Sequence, residues 1–441
     1  MADRFTLSRR RFLHLMGVGA AGAAFSAHGA LLASGLRDRA AAYQGDGSLS
    51  GEISFYWYED RFADTMREYI AQFEEANPGT KINLEILPFS TYFERLPVQI
   101  SAGNAPDVFF LVSGQVQNYA RMDVLADLSQ LIPAEELAQF RPAQIEFSTY
   151  NDTLIAVPFT TTVLTMLVNA DLFEQAGIEI PTTVEDAWTY EEFADVLRTL
   201  KQQGNLVNSM HNNGRDFWWL PWFYGNGASL LNDSLDKATF NSPEALETFQ
   251  YLRALTEEGL IAPPPPAAAS AQENQQLFVQ GRQAIYSAGH WDMANLLEAV
   301  GDRFTIRAAM FPVGPEPALA LGGDYLVVSK DTDNPDLAGA WVSFLTSREI
   351  VEDYATRSYY LPPREDATPV FTENAEVMDL VRTQAAEMAS PKLTLHRGLP
   401  RYADINTVFT AEYQLVMLGE KSPEDALVAI DAAITQILSE S

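Results

Sequence analysis

Glu52-Ile53-Ser54-Phe55-Tyr56-Trp57-Tyr58 (EISFYWY) is rich in β-forming residues and apolar on both faces, which predicts a buried strand. Downstream, Phe62, Met66, Tyr69, Ile70 and Phe73 fall at helical spacing, and Asn77-Pro78-Gly79 stops that helix. Lys81 to Leu87 predicts a second strand, with Ile82, Leu84 and Ile86 alternating. Tyr92 to Ile100 continues as a helix, and Asp107 to Val112 reads as a third strand. Strand, helix, strand, helix, strand in this order argues for an α/β fold around a parallel sheet with right-handed crossovers.

The chain has 441 residues, too many for one ordinary core, so two lobes of common size are expected. Hydrophobic residues make up 47% and charged residues 20%, a globular balance. Against 29 basic residues stand 59 acidic ones, a formal net charge of −30. Without residues 1–42, which hold six Arg and two Asp, the remainder sits near −34. Such a field repels phosphate backbones and excludes nucleic acid as a partner; its simplest role is solubility. The sequence contains no cysteine, so disulfides, thiolate metal sites, cysteine nucleophiles and a lipidated N-terminal Cys are all excluded.

Ser8-Arg9-Arg10-Arg11-Phe12-Leu13 precedes an apolar, small-residue run from Leu15 to Ala33. A basic start, an apolar middle and small residues near the end describe an export signal. Ser-Arg-Arg-x-Phe-Leu resembles the twin-arginine signal, with His14 where a Lys is common. The run is about long enough to span a membrane, yet it is rich in Gly and Ala and includes Ser26 and His28. Cleavage is expected at Ala40-Ala41-Ala42, or earlier within Ser26 to Ala30. The protein is therefore read as exported to the periplasm or the outer face of the cytoplasmic membrane, and not as a Cys-anchored lipoprotein.

Later helices carry start signals. Thr189 and Glu192 form a capping box, with Phe193, Val196, Leu197 and Leu200 as the apolar stripe. Ser242-Pro243-Glu244 and Ser422-Pro423-Glu424 each place an N-cap before a first-turn proline. Pro263 to Pro266 with three following alanines reads as a stiff surface connection.

Ala102-Gly103-Asn104-Ala105-Pro106-Asp107-Val108 resembles a segment of the extracellular solute-binding proteins of sugar-type ABC transporters, the family that includes maltose-binding protein. Val157-Pro158-Phe159, Leu167 to Phe173, Trp188 to Phe193, Asn226-Gly227, Phe278 to Ile285, Gly289-His290-Trp291 and Leu361-Pro362-Pro363-Arg364 continue the series in the family's order. The resemblance implies two α/β lobes of the type II periplasmic-binding-protein kind, joined by a hinge that the chain crosses three times. The crossings are expected near 159–163, 319–324 and 362–367. Lobe one is then 50–160 plus 322–365, and lobe two 161–321 plus 366–441. The resemblance also implies a monomer without cofactor that captures a small molecule, a carbohydrate, and hands it to ABC-transporter permease subunits.

A sugar offers apolar C–H faces and a rim of hydroxyls, so its site needs flat aromatic rings with fixed donors and acceptors. In α/β sheets these gather at the carboxyl ends of strands. The first strand ends in Tyr58-Glu59-Asp60-Arg61, where the resemblance puts a ligand loop; alternatively Trp57 packs in the core and Glu59 and Arg61 form a solvated pair. Ser113 and Gln115 follow the third strand and suit hydroxyl recognition, or, for Ser113, capping of the next helix. Relatives carry an aromatic or a charge near positions 111 and 114, where this chain has Leu111 and Gly114. Phe217 to Gly225 packs three of the seven tryptophans into five positions, and the resemblance favours Trp218 or Trp219 for the cleft. It also makes Trp291 a stacking residue, with Gly289 allowing close approach. Asp324 accepts from hydroxyls or caps a turn, and Tyr360 and Tyr402 are further aromatic candidates.

His211, His290 and His396 lack metal-ligand spacing, and no nucleophile elbow, phosphate loop or zinc signature appears. A glycoside hydrolase working with paired carboxylates is the competing enzyme reading. A binder of glycerol phosphate, polyamine or another small polar solute keeps the fold but changes the ligand. Arg397 and Arg401 are the basic pair a phosphate would call on.

If the leader is read by the twin-arginine receptor, replacing both Arg9 and Arg10 by Lys leaves full-length precursor in the cytoplasmic fraction, as immunoblotting after fractionation would show. Unchanged export of the double variant would refute that reading.

Overall fold

The computed structural model describes residues 49–203, 205–265, 271–316, 318–369, 379–380, 382–383, 393–394, 399 and 401–440. The leader, His396 and Arg397 lie outside the described residues.

EISFYWY forms β1 (Gly51–Trp57), which buries Ile53, Phe55 and Trp57 on one face. Helix α1 (Ala63–Ala76) buries the predicted Met66, Tyr69, Ile70 and Phe73. The chain returns through β2 (Thr80–Ile86), parallel to β1 from Gly51↔Thr80 to Trp57↔Ile86. Helix α2 (Phe89–Ser101) leads to β3 (Val108–Val112), parallel to β1 on its other side, and to α3 (Ser113–Arg121). The short strands β4 (Val157–Pro158) and β5 (Thr162–Val163) precede β6 (Thr165–Asn169), with which the second lobe begins.

That lobe contains α4 (Tyr190–Gln202), α5 (Asp216–Gly225), α6 (Pro243–Glu257), α7 (Ala271–Val279), β7 (Ile285–Ala288), α8 (His290–Val300) and β8 (Ile306–Ala309). Thr189 and Glu192 make the reciprocal bonds of a capping box at α4, and Ser242 accepts from the Ala245 N–H at α6. Strands β8, β6 and β7 form a three-stranded antiparallel sheet. The chain then recrosses through β9 (Leu319–Gly322) into β10 (Asp324–Val328). Helix α9 (Arg348–Ser358) belongs to the first lobe, while α10 (Tyr402–Met417) and α11 (Pro423–Ser439) complete the second.

The first sheet has the order β2-β1-β3-β10-β4. It is mixed rather than purely parallel: β10 runs antiparallel to β3, and β4 antiparallel to β10. The reason is connectivity, since β10 enters from the hinge and not from a helical crossover. Besides a smaller cluster around Leu167, Phe278, Tyr286 and Met293, two large cores follow. One takes residues 53–163 and 321–367, and the other runs from Leu164 to Ala320 and from Tyr402 to Ile434.

The passages between the cores are hydrogen-bonded to each other. Leu321 and Gly322 pair antiparallel with Val163 and Thr162, and the Thr161 N–H donates to the Leu361 carbonyl at 2.8 Å. A Cβ at Gly323 would collide with the Thr160 carbonyl oxygen, so only glycine lets the strands approach this closely. The stretch expected to make the third crossing, 362–367, is tied to the first lobe. Arg364 is buried in the first lobe between Asp366 and Glu136, each at 2.8 Å, and Ala367 still packs in that core. Asp379 already pairs with Arg307 of the second lobe. The Leu-Pro-Pro-Arg stretch is thus an anchor of lobe one, held by a buried guanidinium that needs its carboxylates.

Trp218 and Trp219 do not reach a cleft. Both are fully buried, as is Trp222, and every face of α5 is covered. Trp219 stacks on Phe409 of α10 with centroids 3.6 Å apart, and Trp218 meets Tyr413 of the same helix. Trp222 packs on Phe311 at 4.7 Å. A helix apolar all round is a buried helix, and its cover arrives from nearly 200 residues away. Truncation of Trp219 to Ala should cost roughly 3–5 kcal/mol. Urea unfolding without ligand would measure it, and a cost below about 1 kcal/mol would contradict this placement.

Candidate functional site

The carboxyl end of β1 turns directly into polar residues. Tyr58 is buried among Phe89, Tyr92 and Phe93, with centroids 5.1–5.5 Å away, and its hydroxyl donates to the Asp324 carboxylate. Asp324 opens β10 and also accepts from the Thr160 hydroxyl at 2.9 Å, while its own N–H donates to that hydroxyl at 3.0 Å. This group therefore ties the first strand to two hinge passages. Glu59 lies next along the chain and accepts from the Tyr360 hydroxyl at 2.9 Å. Burial pushes its carboxyl up to about 7, and the negative charge of Asp324 adds to the shift.

Asp60, Arg61 and Phe62 form a 3₁₀ turn, and the Arg61 guanidinium reaches across to the side-chain oxygen of Asn295 on α8. Trp291 stands on the first turn of that helix. It is 36% exposed, whereas Trp57, Trp218, Trp219, Trp222 and Trp341 are fully buried. Its six-membered ring lies over Gly289, where a Cβ would strike it, and Phe217 meets it edge-on at 5.7 Å and 80°. Between these walls lies a cavity of about 400 Å³, lined by Glu59 to Phe62, Ser358 and Tyr360 of lobe one and by Trp291, Ala294, Asn295 and Glu298 of lobe two.

Glu59, Asp60, Tyr360 and Trp291 thus meet in one place, with Tyr58 and Asp324 directly behind Glu59. Other expected residues do not join them. Ser113 is the first residue of α3 and not its cap; Val112 holds that position, and no side chain caps the helix. The Ser113 N–H instead donates to the Gly323 carbonyl at 3.0 Å. Gln115 is partly buried on α3, and its side-chain oxygen finds no hydrogen-bond donor among the described residues. Tyr402 sits in the second core and donates to Asp216 at 2.6 Å, with Trp218 and Trp219 close by in the same core. Asn295 and Glu298 were overlooked, although their spacing of four and seven from Trp291 places all three on one helical face. Ser358 and Thr160 had no readable signal, because only the hinge brings them in.

Among the described residues, no three His, Cys, Asp or Glu side chains are grouped to hold a metal ion. No described helix is long and apolar enough to cross a membrane.

Two α/β lobes, interwoven passages and a cavity walled by both define a two-lobed solute-binding protein. Residues 68–379 match the bacterial extracellular solute-binding protein family, and the chain belongs to it. It is similar to the diacetylchitobiose binding protein DasA of Streptomyces coelicolor, 23% identical over 418 residues that cover 90% of this chain and 92% of that one. Similarity to the maltodextrin-binding protein MdxE of Bacillus subtilis is 27% over 293 residues, 64% of this chain and 67% of the other. In fold it resembles the GacH receptor of Streptomyces glaucescens, with TM-score 0.77, 19% identity and coverage of 89% and 99%. The substrate-binding protein Lmo0181 of Listeria monocytogenes, solved with cycloalternan, superposes with TM-score 0.75 at 24% identity, covering 89% of this chain and all of that one.

A carboxyl raised in the folded state stabilises the fold below the ordinary carboxylate range and loses that contribution as pH rises through about 7. Glu59→Gln should therefore stabilise the protein at pH 8 by roughly 1–3 kcal/mol and hardly at all at pH 4, after allowance for partial exposure. Calorimetric melting at the two pH values would test this; equal effects at both would refute the burial of this carboxyl.

Proposed function

We propose that the protein is the extracytoplasmic capture component of an ABC importer and holds a neutral saccharide between two closing lobes. The observation that carries the reading is the interlobe cavity, where the exposed ring of Trp291 faces Glu59, Tyr360 and Arg61. An aromatic face takes the C–H side of a sugar ring, and the carboxylate, hydroxyl and guanidinium take its hydroxyl rim. Relatives named for diacetylchitobiose and maltodextrin support the same ligand class.

In this reading the lobes are 50–160 with 322–367 and 161–321 with the C-terminal part. Ligand shifts the open–closed balance by touching both lobes only when they are closed, and the closed form docks on permease subunits as a monomer. The twin-arginine leader exports the chain, and the absence of Cys leaves it without a lipid anchor of that kind. A phosphate ester fits poorly, because the cavity sets three carboxylates against a single guanidinium.

A thermal-shift screen over mono- and oligosaccharides, glycerol phosphate and spermidine tests the assignment. A saccharide at about 100 times its Kd stabilises by about 2.7 kcal/mol, a visible rise in Tm. Trp291→Ala should weaken that binding at least about ten-fold while leaving the ligand-free Tm nearly unchanged. A response to glycerol phosphate or spermidine alone would overturn the carbohydrate assignment, and release of sugar products on incubation would overturn the binding role itself.

A further inference from the structure

Helix α8 presents two faces within its own lobe. Trp291, Ala294, Asn295 and Glu298 line the cavity, while Met293, Leu296 and Val300 are buried in the small cluster of lobe two. Leu297 falls between these faces. It packs on that cluster and also against the core of lobe one, so its side chain bridges the lobes. Two residues earlier, Asn295 accepts from the Arg61 guanidinium of lobe one. One flank of α8 therefore meets the opposite lobe directly.

Lobe one returns the contact through Tyr359, the residue that ends α9. Its φ is +65°, a left-handed conformation that glycine or asparagine adopts with less strain, and its N–H donates to the Ala355 carbonyl at 2.9 Å. The sharp turn separates two consecutive tyrosines. Tyr360 is buried in the first core and donates to Glu59 at 2.9 Å. Tyr359 is partly buried and packs, like Leu297, against both the first core and the lobe-two cluster. A glycine would make the same turn without reaching across, so a strained bulky residue here argues that its side chain has a use. Leu297 and Tyr359 both lie outside the cavity lining.

We propose that Leu297 and Tyr359 form an apolar latch beside the cavity, which favours the closed arrangement of the lobes and so sets ligand affinity without touching the ligand. This rests on the reading of the protein as two lobes that close on a saccharide. An apolar contact made only when the lobes are shut stabilises that state. A ligand that needs the shut state then binds more tightly by the factor through which the latch populates it.

The test combines small-angle scattering of the ligand-free protein with titration of maltotriose and diacetylchitobiose. Leu297→Ala and Tyr359→Asn, each checked for wild-type secondary structure by circular dichroism, remove the two sides of the latch. Asparagine tolerates the left-handed turn, so the second variant loses the ring and keeps the backbone; it also serves if Leu297→Ala does not fold. Each should enlarge the ligand-free radius of gyration and raise the Kd of whichever saccharide binds the wild type about five- to ten-fold. The double variant should go little further than the stronger single one, because both side chains serve one contact. Folded variants with wild-type radius and wild-type Kd would overturn the latch. A lowered Tm with both quantities unchanged would overturn it too, making the contact a pivot kept in open and closed forms alike. Failure of both saccharides to bind the wild type would count against the carbohydrate reading, and the ligand-free radius would then decide the latch by itself.

Discussion

The Asp324 carboxylate is the constraint on which the two-lobed arrangement turns. It sits where the chain re-enters the first lobe and accepts from Tyr58 at the end of β1 and from Thr160 on the outgoing passage. Losing it would leave two buried hydroxyls without their acceptor, a cost larger than the value of either bond alone. It would also release the strand end that carries Glu59. The adjacent backbone is equally committed, since Gly323 leaves no room for a side chain against Thr160. Hinge and ligand loop are thus one hydrogen-bonded unit, and a change in one is transmitted to the other through bonds and not through distance.

The same unit sets the electrostatics of the cavity. The negative charge of Asp324 disfavours ionisation of Glu59, and burial removes the water that would screen it. Arg61 offsets part of this charge while holding Asn295 across the gap. A neutral molecule with many hydroxyls suits such a place, because it donates to carboxylates without adding charge. The strong negative charge of the whole chain does no comparable work here; such a field repels other polyanions.

Lobe two illustrates how a rich aromatic sequence divides between packing and recognition. The indoles of Trp218, Trp219 and Trp222 are enclosed by α10, Phe311 and one another, and their N–H groups find no partner among the described residues. Trp291 has the opposite situation, with a ring that is 36% exposed. Composition alone does not separate these cases. What separates them is whether a distant helix returns to cover the ring.

Local information was sufficient wherever local physics decides. The β1–α1–β2–α2–β3 order, the caps at Thr189 and Ser242, and the polar turn after β1 all follow from period, capping chemistry and strand ends. Trp291, Glu59 and Tyr360 were legible as candidates through a family resemblance and the chemistry of their side chains, and they line one cavity, although no spacing links position 59 to 291 or 360. The tertiary structure alone decided that β10 runs antiparallel, that Ala367 packs in the first core, and that α10 buries Trp218 and Trp219. It also decided that Tyr402 faces Asp216 and that Asn295 and Ser358 complete the cavity. Each of these depends on contacts between residues far apart in the chain, and side-chain type and local period carry no information about which remote surface will arrive to cover them.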